Sequence, residues 1–225
     1  MTESRGSSLA TATRAVLAVA DALEAACAQL CQLDAVAGDG DHGLAMARAA
    51  QAIRAKLTTN PPKDPDKPPK DVTDLIELMA AEFAAVGGAM GAIAYVLLHA
   101  VADSTADMDG NLTAPDIVRL LDVAQQTVTE FGGARPGDKT ILDAISKAAE
   151  AAADQARLGK SPIPCLQAAA RGARRGADAT SGMVARIGRA SRLGELSRGT
   201  VDAGAQSFAL SLEALATAYA LEAKK

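Results

Sequence analysis

Nearly half of this chain is hydrophobic, 49%, yet only 2% is aromatic and Trp is absent. Its core must therefore be assembled from Ala, Leu, Val, Ile and Met, a set that suits close-packed helices. The apolar positions agree: Leu9, Val16, Val19, Ala20, Leu23, Cys27 and Leu30 recur at three- and four-residue intervals, which predicts an amphipathic helix from Ser8 to Leu33. No segment alternates as a strand does. With 225 residues there is enough chain for one substantial domain and too little for two comfortable ones, so residues 1–225 read as a single all-α domain of antiparallel helices.

Further along, a helix is expected from Leu44 to Leu57, followed by a Pro-rich surface loop over 58–71 that offers neither ladder nor core pattern. Thr73 can cap a helix running to Phe83. Gly87-Gly88 interrupts the pattern, and the apolar run from Ala89 to Val101 predicts a deeply buried helix. Thr113-Ala114-Pro115-Asp116 carries a cap, a proline in the first turn and an acid for a helix reaching Phe131. Helices from Asp138 to Leu158, from Ser161-Pro162 to Ala179 and from Gly204 to Glu222 complete the chain.

Twenty-three Lys plus Arg against 27 Asp plus Glu give a net charge of −4, which argues against nucleic acid as the main partner. No window holds the roughly 18 apolar residues of a membrane helix, and MTESRGSSLATATR lacks the apolar stretch of a secretory signal, so the sequence reads as cytoplasmic with no membrane partner. Cys27, Cys31 and Cys165 cannot pair completely and read as small buried thiols; the two histidines are too few to favour zinc.

The chemistry concentrates in Leu33-Asp34-Ala35-Val36-Ala37-Gly38-Asp39-Gly40-Asp41-His42-Gly43. On one continuous helix Asp34 and Asp41 would share a face while Asp39 pointed away. The glycines permit another path, in which Asp39 and Asp41, two apart in an extended stretch, project to the same side. Three converging carboxylates repel unless a cation neutralises them, and oxygen ligands favour Mg²⁺, Mn²⁺ or Ca²⁺ over zinc. Mg²⁺ usually keeps substrate phosphates among its ligands. The spacing is not that of an EF-hand, and although Asp and Gly are ordinary turn formers, Asp34 together with Gly-Asp-Gly-Asp favours a metal.

Three more segments fit an anionic ligand. Gly87-Gly88-Ala89-Met90-Gly91 precedes a helix whose N-terminus can hold an anion, although close helix packing explains the same glycines. The turn Gly132-Gly133-Ala134-Arg135-Pro136-Gly137-Asp138-Lys139-Thr140 ends in a helix cap and is compatible with a plain connector. Gly188-Arg189-Ala190-Ser191-Arg192-Leu193-Gly194-Glu195, followed by Asp202-Ala203-Gly204, is a long loop between two helices; its Arg189 is either a solvated side chain or the kind of group that neutralises a transferring phosphoryl.

In this order the segments resemble the nucleotide-binding L subunit of dihydroxyacetone kinase, the DhaL or DAK2-domain family. Leu-Asp-Ala-Val-Ala-Gly-Asp-Gly-Asp-His-Gly, Gly-Gly-Ala, Pro-Gly-Asp-Lys-Thr-Ile-Leu-Asp and Gly-Arg-Ala-Ser-Arg-Leu-Gly-Glu carry the resemblance from the first helix to the last. It implies an antiparallel barrel of about eight helices with ATP or ADP held at one end through two Mg²⁺ ions. Asp34, Asp39 and Asp41 take the positions of the family's metal ligands. By the same transfer His42, Gly43, Leu44, Ala45, Ala89, Met90, Gly132, Ile141, Arg189, Val201, Asp202 and Ala203 meet the nucleotide, with Ile141 against the adenine and Arg189 facing the phosphates as the catalytic group. Three departures stand out: Met90 replaces a usual serine, Leu196 a usual arginine, and Ala203 a usual proline.

The resemblance further implies a kinase half that transfers a phosphoryl group to dihydroxyacetone or a related small ketose held by a separate K subunit. The phosphoryl donor is left open between exchangeable ATP and a bound ADP recharged by a phosphotransferase-system protein, and the oligomeric state between monomer and homodimer. A non-catalytic nucleotide sensor of the same fold is the rival reading, favoured by Met90 and Leu196. A fatty-acid kinase domain fits the late loop less well.

Overall fold

The computed structural model describes residues 2–58, 68–108 and 111–224, with side chains from Ser8 onward. Among these residues the regular structure is entirely helical. The helices are α1 (Thr2–Ala25), α2 (Cys27–Asp34), α3 (His42–Thr58), α4 (Val72–Val86), α5 (Gly88–Asp103), α6 (Ala114–Gly132), α7 (Ile141–Arg157), α8 (Pro162–Ala179) and α9 (Ala203–Glu222). Short 3-10 segments, Thr180–Gly182 and Arg189–Ser197, lie between α8 and α9. Most of the expected Pro-rich loop, residues 59–67, falls outside the described residues.

The architecture is an eight-helix barrel. Helix α1 packs on α3, α3 on α4, and so on through α5, α6, α7 and α8 to α9, which closes the ring against α1, while short α2 sits across α3 and α9. Up-and-down order has a direct consequence for function. Alternate connections fall at the same end, so Gly87 and the segments 35–41, 133–140 and 180–202 share one rim, while the C-terminal ends of α3, α5 and α7 lie at the other.

Small side chains let the walls approach. The buried hydrophobic residues of the α6–α9 seam are alanine except for Ile117, Leu121, Cys165 and Leu166. At Gly172 an added Cβ would lie 2.2 Å from the Lys147 carbonyl oxygen, and at Gly176 it would lie 2.3 Å from that of Asp143, so α8 rests backbone to backbone on α7. A lumen of about 320 Å³, lined by apolar residues such as Val16, Leu75, Met79, Leu97, Leu121 and Phe208, remains between the walls.

Local signals account for most helix ends. Thr113 and Asp116 form the expected capping box of α6, with proline in its first turn. Thr140 and Asp143 form another, which starts α7 at Ile141 rather than Asp138. Asp71 caps α4 by accepting from Asp74 N, in place of the expected Thr73. Ser161 precedes α8 without a side-chain cap.

Two larger features also depart from expectation. The first helix is not continuous: it breaks at Ala26 (φ −86°, ψ 1°), and α2 leaves α1 at 58°. Just past the break, Gly43 of α3 sits close against α2: a Cβ placed on it would lie 2.0 Å from the Cys27 carbonyl oxygen. Helix α5 is not deeply buried either. Gly91, Leu97 and Ala102 face inward, whereas Ala89, Ala92, Tyr95 and His99 are exposed, because a barrel stave always keeps an outer face. Cys165 is buried as expected, while Cys27 and Cys31 are half-buried; all three are free thiols. No single described helix is long and apolar enough to cross a membrane.

Candidate functional site at one end of the barrel

The acidic segment builds a compact trio. Helix α2 ends on Asp34, the chain turns through Ala35–Gly38, and Gly40 adopts φ 76°, a conformation that favours glycine. Gly38 lies so close under Asp34 that an added Cβ would come within 2.3 Å of Oδ1. Asp34 Oδ2 in turn accepts from the backbone N–H of Asp41 (3.1 Å) and His42 (3.4 Å), which caps the start of α3. One carboxylate oxygen from each of Asp34, Asp39 and Asp41 lies within 4.8 Å of the others.

The trio is electrostatically strained. Arg189 Nη1, from the loop between α8 and α9, donates to Asp39 Oδ2, and that guanidinium holds Asp39 below the usual carboxylate range. Asp41 is pushed up by its hydrogen bond to Asp39, by burial, and by the charges of Asp39 and Asp34. One guanidinium thus offsets part of a threefold negative charge. The donor set is all oxygen and no thiolate joins it, which fits a hard divalent cation with room left for water or phosphate oxygens.

The other sequence-derived residues gather at this rim in different ways. His42 is buried, its Nε2 3.0 Å from Ser207 Oγ, and burial lowers its pKa; it ties α3 to α9. Gly43 is buried against α2, Leu44 is exposed, and Ala45 packs against the α1–α3–α4 core. Gly87 (φ 76°) and Gly88 (φ 70°) open α5 with nothing within 4 Å of a Cβ, leaving Ala89 exposed. The Met90 side chain packs against two core clusters. Gly132 ends α6 on the surface. Ile141 is buried in the α5–α6–α7 core, 3.6 Å from a Cβ placed on Gly204. Val201 packs on the main core and Ala203 is buried. Asp202 caps α9 by accepting from Ala205 N (2.8 Å); its carboxyl is pushed up to about 6, chiefly by burial.

Sequence reasoning missed Lys139. It is buried, has the left-handed φ of 64°, and donates from Nζ to the carbonyl oxygens of Thr180 (2.6 Å) and Thr200. A lysine inside the rigid Pro-Gly-Asp-Lys-Thr turn was the available signal.

Fold and rim together define a class: an up-and-down helical barrel whose connections bring an acidic trio, an arginine and several glycine turns to one end. The chain belongs to the DAK2 domain family, whose model matches residues 36–217. It is similar to the L-erythrulose kinase of Pectobacterium atrosepticum, 36% identical across 89% of this chain and 33% of that protein. It is also similar to the ADP-binding subunit DhaL of the PEP-dependent dihydroxyacetone kinase of Escherichia coli, 32% identical across 83% of this chain and 85% of that one. Among solved structures, the dihydroxyacetone kinase of C. freundii in complex with AMP-PNP and Mg²⁺ superposes with a TM-score of 0.67 at 28% identity, covering 92% of this chain and 34% of that one. The chain spans about a third of the length of the erythrulose kinases it matches.

Proposed function

We propose that this chain is the nucleotide-binding part of a dihydroxyacetone-type kinase that phosphorylates a small ketose in the cytoplasm. The observation that carries this reading is the Asp34–Asp39–Asp41 trio within 4.8 Å, faced by Arg189 on a rim of glycine turns. In this reading the three carboxylates hold two Mg²⁺ ions, which when bound supply the positive charge that a polyphosphate needs. The open N-terminus of α5 at Gly88–Ala89 offers backbone N–H groups to phosphate oxygens. In the same reading Leu44 and Gly132 would border the nucleotide, and Ile141, Val201, Asp202 and Ala203 would lie beneath it. Arg189 is poised to leave Asp39 for the transferring phosphoryl group, where a guanidinium stabilises the spread negative charge.

No general base is assigned within this chain, so a K-type subunit presents the ketose hydroxyl and any base. ATP or a permanently bound ADP recharged by a phosphotransferase-system protein serves as donor, and a homodimer is compatible with the exposed barrel wall. Residues 1–225 act as one domain. The test is reconstitution: purified chain, a K-type subunit, Mg²⁺-ATP and dihydroxyacetone or erythrulose should yield the phosphorylated ketose. Saturable nucleotide binding with no phosphorylated ketose from any acceptor would instead support a non-catalytic sensor. That reading draws on Met90, which turns its side chain into the core where a hydroxyl would face phosphate, and on the exposed Leu196.

A further inference from the structure

The loop that carries Arg189 is a long excursion, from Thr180 to Asp202, and it is closed at its neck from outside. Lys139, in the turn before α7, sends Nζ to the carbonyl oxygens of Thr180 and Thr200, the two sides of that neck. Thr180, itself fully buried, accepts at Oγ1 from Asp202 N (2.8 Å), and Gly199 N donates to Ser181 O (2.8 Å). The preceding residue adds a second tether, since Asp138 O accepts from Arg186 N (3.2 Å). Lys139 is only 5% exposed, although it is a lysine, and it holds a left-handed backbone that lysine rarely adopts. Buried cations and strained backbone each carry a cost, and they persist where the surroundings demand that geometry. Burial lowers the pKa of Lys139, and the carboxylates of Asp202 and Asp143 offset only part of that cost.

We infer that Lys139 is a positioning residue, the latch that closes the neck of the Thr180–Asp202 excursion and thereby sets the reach of Arg189 to the acidic trio. A neutral, non-donating side chain would leave two carbonyl oxygens without their shared donor, and the loop would lose the anchor from which Arg189 extends. Nothing in this role requires Lys139 to touch the ligand. The inference rests on the nucleotide-site reading for its effect on binding, but not for its effect on the loop.

The test uses Lys139→Met and Lys139→Gln in the full chain. Arg186, Arg189, Arg192 and Arg198 are exposed, so trypsin reports loop order directly. Without ligand, Lys139→Met should be cut after Arg189 and Arg192 about tenfold faster than the parent while its helical circular dichroism is kept. Lys139→Gln, which retains a donor for one carbonyl, should fall between. With Mg²⁺ and ADP, Lys139→Met and Arg189→Ala should each weaken binding about tenfold, and the double variant should lose less than about twofold more, because both act through one loop. Unchanged cleavage, multiplicative losses in affinity, or loss of helical signal in both variants would overturn the inference, the last by making Lys139 a support of the whole barrel. If the parent chain binds no nucleotide, the proposed function fails, but the cleavage comparison still decides the role of Lys139.

Discussion

Asp202 shows how a single carboxyl can be both useful and costly. It caps α9 at the rim, yet burial lifts its pKa to about 6 from an ordinary 3.8, so the folded state holds its proton where the unfolded chain has released it. Stability from this group is complete below pH 4 and declines as pH rises to 6, by about 3 kcal/mol at most. Asp202→Asn keeps an acceptor for Ala205 N and removes the charge. In urea titrations without nucleotide, the variant should therefore gain stability relative to the parent between pH 4.5 and pH 7.5; a pH-independent difference would show that Asp202 ionises normally. The convergence of the acidic trio was legible in the sequence, because Asp39 and Asp41 lie two apart in a stretch that glycines release from the helix. Lys139 was not, because a reading by helix periodicity gives a lysine in a turn to solvent, and its partners are backbone atoms 41 and 61 residues away.

Among the elements, α7 and α8 show most directly how this chain replaces aromatic bulk with proximity. Alanine in place of Gly172 would gain up to about 1 kcal/mol in helix propensity. The new Cβ would meet the Lys147 carbonyl at 2.2 Å and the Ala151 Cβ at 2.9 Å, and a backbone carbonyl cannot swing aside. Overpacking should win, so Gly172→Ala is expected to lower stability by about 1–3 kcal/mol in denaturant titration. A gain would mean that the two helices are less tightly seated than their geometry requires. The Thr113 capping box and the proline after Ser161 made the starts of α6 and α8 readable to within a residue. The break at Ala26 was unreadable, since alanine is a strong helix former and nothing in the local sequence marks an end there. The exposed face of α5 escaped for a related reason: alanines on the outside of a stave look the same in sequence as alanines in the core.

At the scale of the whole molecule, topology does the assembling. An up-and-down ring of eight helices delivers every second connection to one rim, so residues as distant as Asp39 and Arg189 meet without any long-range signal in the sequence beyond the motifs themselves. The all-helical fold was thus accessible from composition and periodicity, whereas closure of the ring was implied by family resemblance and is seen in the packing of α9 on α1. In the proposed function the rim grips a polyphosphate through divalent cations on the acidic trio. Calorimetric titration with ADP, in Mg²⁺ and then in excess chelator, tests it on the parent chain and on Asp39→Ala. Saturable binding that disappears with the chelator and with Asp39→Ala is the predicted result; parental affinity in Asp39→Ala, or binding indifferent to Mg²⁺, would contradict it.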